Sequence, residues 1–121
     1  MFELIANGPA ELQGWRLPLA VGNTYQLGRA TGSALPVPWD PLVSRTQATL
    51  VVTADGISVE RLAGAVNPLY VGGEETDGCR LVPGDLFVVG ETSFHLILAD
   101  PDSSTEEARP IEAQTFDRRQ L

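Results

Sequence analysis

Two residues, Arg29 and Ser44, have side chains suited to binding a phosphate group. Arg29 follows Gly28 at the end of an apolar segment, and Ser44 lies in the sequence Val43-Ser44-Arg45. A guanidinium can donate two parallel, charge-assisted hydrogen bonds to phosphate oxygens, and a nearby hydroxyl with loop amides can complete the site. These residue types therefore predict a pocket for a phosphate.

The composition excludes several other chemistries. A formal net charge of −8 over 121 residues argues against broad binding to nucleic acid or to an anionic membrane surface. All eight basic residues are arginines, so the chain lacks the lysine of a Walker A loop, of a kinase strand or of a Schiff base. With Cys79 as the only cysteine and His95 as the only histidine, we expect no disulfide within the chain, no metal and no cofactor.

Neither catalysis nor membrane insertion is predicted. The chain has no Gly-x-Ser-x-Gly motif, and nothing marks a general base for Ser44, so we expect no catalytic residue. Its N-terminus lacks a basic region followed by a long apolar stretch, and no apolar run approaches the ~20 residues of a membrane span. We therefore expect a soluble cytoplasmic protein.

The hydrophobic pattern predicts an all-β sandwich. Apolar residues recur at every second position, at Trp15, Leu17, Leu19 and Val21 and again at Phe94, Leu96 and Leu98, which is typical of half-buried strands. Further strands are predicted at residues 25–27, 48–53, 57–60, 69–71 and 86–89. The dipeptide Asp55-Gly56 predicts a tight hairpin turn, and Pro83-Gly84 predicts a type II turn.

Two regions depart from the strand pattern. Residues 30–43 contain three prolines, which predict a loop with at most a short edge strand, and Trp39 among them is a candidate anchor for a partner. We expect residues 1–100 to form the domain and residues 101–121 to form a polar, acidic tail or linker.

Glu74 and Glu75 are predicted to lie in a solvated loop. Cys79, beside Arg80, has either a lowered pKa or, more commonly for a free cysteine, a buried position.

The chain resembles the forkhead-associated (FHA) domain family in an ordered set of motifs. The match runs from about Tyr25 to Leu98. It rests on these segments: Leu27-Gly28-Arg29, residues 40–50 with Val43-Ser44-Arg45-Thr46-Gln47 at their centre, Asn67-Pro68-Leu69-Tyr70-Val71-Gly72-Gly73, Leu81-Val82-Pro83-Gly84-Asp85 and Val89-Gly90. Each motif is weak alone, but their order and spacing on a predicted β-sandwich make a chance match improbable.

The resemblance implies a module that binds phosphothreonine and has no catalytic activity. Its fold would be a sandwich of about eleven mostly antiparallel strands, whose loops at one end grip a peptide. The partner would be a protein phosphorylated on threonine by an upstream Ser/Thr kinase.

Site residues follow by position from the same resemblance. Arg29 would pair with the phosphate, Ser44 would donate its hydroxyl to it, and Asn67 would hold the peptide main chain with its amide. Arg45 and Thr46 would flank the phosphate, whereas Gly28 and Gln47 would support the loops. From the residue types alone, a surface ion pair of Arg29, a turn cap by Ser44 and a left-handed backbone at Asn67 stay open.

The chain departs from the family pattern beside these residues. Gln47 stands where the family usually has a histidine that braces the loop carrying the glycine-arginine pair. Pro68-Leu69 replaces a glycine followed by threonine or serine, and Val66 replaces an often hydroxylic residue. These departures permit a second hypothesis, an FHA-like scaffold that assembles without phosphorylation, including as the regulatory domain of a larger protein.

Thr105 and Thr115 in the tail suggest a self-recognition switch, in which a phosphorylated tail binds the pocket of a neighbouring molecule. We expect treatment with a Ser/Thr kinase to increase the oligomeric state, as measured by size-exclusion chromatography, with the modified residue identified by mass spectrometry. Thr105→Ala and Thr115→Ala variants should reverse the change. An unchanged oligomeric state in all samples would contradict the hypothesis.

Overall fold

The computed structural model describes residues 2–99 and contains eleven strands in two sheets that form a β-sandwich. The strands are β1 (Phe2–Asn7), β2 (Gly14–Leu19), β3 (Thr24–Gly28), β4 (Leu35–Pro36), β5 (Ala48–Val52), β6 (Ile57–Arg61), β7 (Leu69–Val71), β8 (Glu74–Thr76), β9 (Gly78–Leu81), β10 (Leu86–Val89) and β11 (Thr92–Leu98). Thr105, Thr115 and the predicted tail lie outside the described residues, so the division of the chain near residue 100 stays a prediction.

The two sheets contain six and five strands. Their orders are β2-β1-β11-β10-β7-β8 and β4-β3-β5-β6-β9. Neighbouring strands pair antiparallel except β3 and β4, which are parallel. The prediction of an all-β, mostly antiparallel sandwich of about eleven strands is therefore confirmed.

The core lies between the sheets and follows from alternation along the strands. In β1, for example, Phe2, Leu4 and Ala6 are buried, because successive side chains of a strand point to opposite faces. The rings of Phe87 and Phe94 stack with their centroids 4.8 Å apart. Such contact adds to the free energy gained by burying the aromatic surface.

Both predicted turns are present. Val82 O accepts a hydrogen bond from Asp85 N at 3.0 Å, and Gly84 has φ +102°, as a type II turn over Pro83-Gly84 requires. Residues 53–56 join β5 to β6 in a hairpin, closed by a 2.8 Å hydrogen bond from Thr53 N to Gly56 O.

Most predicted strands are confirmed, and the errors lie at chain ends and edges. The strands β1, β8 and β9 were not predicted, although the alternation of Phe2 and Leu4 marks the first of them. Glu74 and Glu75 form the exposed edge strand β8 rather than a loop. Val21 lies beyond β2 and is exposed, so it does not continue the buried stripe. The short edge strand within residues 30–43 is β4, which pairs only with β3.

Gly56 provides a test of the close approach between β6 and β9. A Cβ atom at this position would lie 2.0 Å from Leu81 O, which is backbone and cannot rotate away. We expect Gly56→Ala to lower the free energy of unfolding by about 1–3 kcal/mol, the usual cost of overpacking, as measured by urea denaturation. Gly32→Ala is the control, because nothing lies within 4 Å of its added Cβ. Equal stability of the two variants would contradict the expectation.

Candidate functional site

The candidate site lies where β3 ends and where the connections between β4 and β5 and between β6 and β7 meet. Arg29 N donates a 2.9 Å hydrogen bond to Ser44 O, and Ala30 N donates one of 3.3 Å to Arg45 O. A Cβ on Gly28 would lie 2.0 Å from Arg45 O, so only glycine allows the two backbones to approach this closely. The structure thus brings the Gly28-Arg29 and Ser44-Arg45 segments together.

The Arg29 side chain is held at one end and free at the other. Its Nε atom donates a 3.0 Å hydrogen bond to Val43 O, and the residue is exposed. Within residues 2–99 the ion pairs are Arg16 with Glu3 and Arg61 with Asp77, so no described carboxylate neutralises Arg29. The terminal guanidinium nitrogens have no hydrogen-bond acceptor in the same part of the chain. They are therefore available to an anion from solution.

Ser44 and the two residues after it present further donors. Ser44 Oγ accepts a 2.9 Å hydrogen bond from Val66 N, which leaves the hydroxyl proton free to be donated. Arg45 and Thr46 are exposed, and their backbone amides donate to no acceptor among the described residues. A hydroxyl and two free amides thus adjoin the fixed Arg29.

Asn67 is placed beside this segment by its own side chain. Asn67 Nδ2 donates a 2.8 Å hydrogen bond to Leu42 O. The side-chain carbonyl oxygen and the second amide hydrogen have no partner in the described chain, so one acceptor and one donor are available to a peptide main chain.

Gln47 connects the loops from a fully buried position. Its Oε1 accepts a hydrogen bond from Ser44 N, and its Nε2 donates one to Asn67 O, both at 2.8 Å. Its backbone N donates to Leu27 O at 2.9 Å, one residue before the glycine-arginine pair. The side chain therefore braces Ser44 and Asn67, whereas only the backbone of Gln47 supports the strand that leads to Arg29.

No family model and no curated protein sequence matches the chain. Solved structures do match: the FHA domain of the CT664 protein from Chlamydia trachomatis has a TM-score of 0.71 at 24% identity, over 82% of this chain and 98% of that one. The chain has the FHA fold.

Two further structures share the FHA fold at lower identity. One is an FHA domain studied for its phosphothreonine-dependent interactions, with a TM-score of 0.66 and 17% identity over 81% of this chain and 98% of that one. The other is Mycobacterium tuberculosis EmbR in complex with a low-affinity phosphopeptide, with a TM-score of 0.62 and 20% identity. The match to EmbR covers 80% of this chain and 24% of EmbR.

Arg61 supports the β6–β7 connection of this FHA fold and was not predicted from the sequence. Its Nη1 donates a 2.7 Å hydrogen bond to Ala65 O, and its Nε donates one of 2.8 Å to Asp77. Three side chains, those of Arg61, Ser44 and Gln47, thus fix three successive residues at positions 65–67. The sequence gives no signal for this, because Arg61 simply ends an ordinary strand.

Three other residues noted in the sequence, Trp39, Cys79 and His95, are at least partly buried in the domain. Trp39 packs against the core and donates from Nε1 to Thr92 Oγ1 at 3.0 Å, so its polar atom is used inside the domain, and its interpretation as a partner anchor is not supported. Burial raises the pKa of the Cys79 thiol, the opposite direction to the lowered pKa considered above. His95 is half-buried in β11 and alternates with the buried Phe94 and Leu96.

Two absences hold for residues 2–99. This part of the chain has no helix long and apolar enough to cross a membrane. It also contains no group of three or more side chains of the types that hold metal ions.

Gln47→Glu tests the brace. Glutamate keeps the acceptor for Ser44 N but cannot donate to Asn67 O when ionised, and it places a charge in a fully buried position. We expect the free energy of unfolding at pH 7 to fall by roughly 2 kcal/mol or more, as measured by chemical denaturation. Gln26→Glu makes the same change on the exposed face of β3 and should have little effect. Similar losses in both variants would show that the buried hydrogen bonds are not responsible.

Proposed function

We propose that this domain is a non-catalytic module that binds a protein phosphorylated on threonine. The observation that carries the proposal is the fixed and unneutralised Arg29, which lies directly beside the Ser44 segment. In a chain of net charge −8, an exposed arginine without a carboxylate partner within the described residues is well suited to an anionic ligand.

The phosphate contacts follow from the available donors. The terminal nitrogens of Arg29 donate to two phosphate oxygens, the Ser44 hydroxyl donates to one, and the exposed amides of Arg45 and Thr46 complete the coordination. Since the loops are already held by hydrogen bonds, little ordering is required when the ligand binds.

Asn67 gives the peptide its path along the domain. Its free amide oxygen and hydrogen bind one peptide unit of the ligand, while Leu42 and Val66 are 45% and 82% exposed and offer apolar surface to the ligand's side chains. The proposed partner is a Thr-phosphorylated protein, which requires a Ser/Thr kinase upstream, and a cytoplasmic location of the domain is part of the same proposal. The phosphothreonine-dependent interactions and the phosphopeptide complex of two proteins with the same fold support this proposal.

A second candidate function is assembly that does not depend on phosphorylation. It is favoured by the internal use of Ser44 Oγ and Asn67 Nδ2, which already bond to Val66 N and Leu42 O. In that case, association with a partner would be unaffected by treatment of the partner with a phosphatase.

Removal of Arg29 tests the proposed function. We expect the wild-type protein to bind members of a phosphothreonine peptide library but not their unphosphorylated counterparts. Arg29→Ala should weaken binding at least tenfold, because a charge-assisted hydrogen bond contributes on the order of 1.5–3 kcal/mol, as measured by isothermal titration calorimetry.

Arg80→Ala is the matched control, since it removes an exposed arginine from β9, a strand that contributes no residue to the site. It should leave the affinity within about twofold, well below the change expected for a lost phosphate contact. Equal binding by the wild type and Arg29→Ala would contradict the proposal.

A further inference from the structure

The buried carboxylate of Asp40 has no role in the site described so far. Asp40 is 1% exposed, and no arginine among residues 2–99 pairs with it. Its Oδ1 accepts a 3.0 Å hydrogen bond from Leu42 N, while its Oδ2 accepts bonds of 2.8 Å from Glu91 N and Thr92 Oγ1. A buried carboxylate is tolerated only when such donors replace water.

These bonds join two separate connections of the sandwich. Leu42 belongs to the β4–β5 connection, whereas Glu91 lies in the turn between β10 and β11. Gly90 closes that turn onto the carboxylate, because a Cβ there would lie 2.9 Å from both Asp40 oxygens. Its φ of +59° also favours glycine. The β10–β11 turn is therefore built around Asp40.

The segment that follows Asp40 holds the side chains of the candidate site. Asp40 O accepts a 3.1 Å hydrogen bond from Val43 N, and the carboxylate fixes Leu42 N. The carbonyl oxygens of the same two residues face the site, since Leu42 O accepts from Asn67 Nδ2 and Val43 O accepts from Arg29 Nε.

We propose that Asp40 is a positioning residue: by fixing the two peptide units that flank Leu42, it sets the direction of Leu42 O, which holds Asn67. It also sets the start of the next peptide unit, whose Val43 O holds Arg29. The effect on the side-chain directions is a property of the protein without ligand. Its consequence for phosphopeptide affinity rests on the proposed function. An apolar residue at position 40 would fill the core without desolvating a charge, but it would leave Leu42 N and Glu91 N unpaired.

Asp40→Asn in the full chain tests this role, because it preserves the size of the side chain but replaces one acceptor oxygen by a donor. By NMR, the wild-type Arg29 Hε and the Asn67 side-chain amide hydrogen that is donated to Leu42 O should show chemical shifts and exchange rates typical of hydrogen-bonded groups. In Asp40→Asn, both sets of resonances should move towards the values of solvent-exposed side chains. Affinity for the phosphothreonine peptide selected with the wild type should fall about tenfold.

Two controls separate positioning from general stability. Val52 is buried at the end of β5 that lies farther from Gln47. Val52→Ala removes buried volume there, so it should lower the melting temperature without moving the Arg29 and Asn67 resonances. If Asp40→Asn does not fold, Thr92→Val and Thr92→Ser replace it. Valine keeps the shape but removes the hydroxyl that donates to Asp40 and accepts from Trp39 Nε1, and it should reproduce the loss. Serine keeps both hydrogen bonds and should not.

The outcomes for the two proposals are distinguishable. Wild-type resonances and affinity in Asp40→Asn, or the same resonance changes in Val52→Ala, would overturn the positioning role. Without phosphothreonine binding by the wild type, the proposed function fails, but the resonances of Arg29 and Asn67 still decide whether Asp40 positions them.

Discussion

The candidate site depends on hydrogen bonds to three consecutive backbone carbonyls, those of Leu42, Val43 and Ser44. Leu42 O accepts from the Asn67 side chain, Val43 O from the Arg29 side chain and Ser44 O from the Arg29 backbone. Residues from two connections, β3–β4 and β6–β7, therefore converge on one short segment of a third, the β4–β5 connection. Since a carbonyl direction is fixed by the backbone, small rotations of this segment would move the side chains of Arg29 and Asn67 together.

Buried polar side chains hold that segment on both sides. Asp40 fixes the start of the segment, and Gln47 binds Ser44 N near the end of it. Both side chains are almost fully buried. Hydrogen bonds shielded from water compete less with solvent and favour one arrangement of the loops. Polar groups in the core thus order the loops before any ligand arrives, which lowers the conformational entropy lost on binding.

At Gln47 the chain departs from the family pattern, yet the glutamine still supports the loops of the site. The glutamine has both an acceptor and a donor, and it uses them on two different loops, at Ser44 and at Asn67. Val66 likewise contributes to the site through its backbone amide, which any residue other than proline would provide. The geometry therefore depends less on these residue types than the sequence pattern suggested.

The sequence by itself determined most strands and the residues that meet at the site. Strands such as Leu69–Val71 and Leu86–Val89 were predictable because alternation and turn residues are local signals. Short edge strands such as Glu74–Thr76 were not, since their pairing comes from a neighbour in the sheet rather than from their own apolar pattern. Only the tertiary structure decided which atoms support Arg29 and Asn67. Two of the three donors to the Asp40 carboxylate, Glu91 N and Thr92 Oγ1, lie 51 and 52 positions away along the chain. Hydrogen bonds at that separation depend on how the two sheets pack.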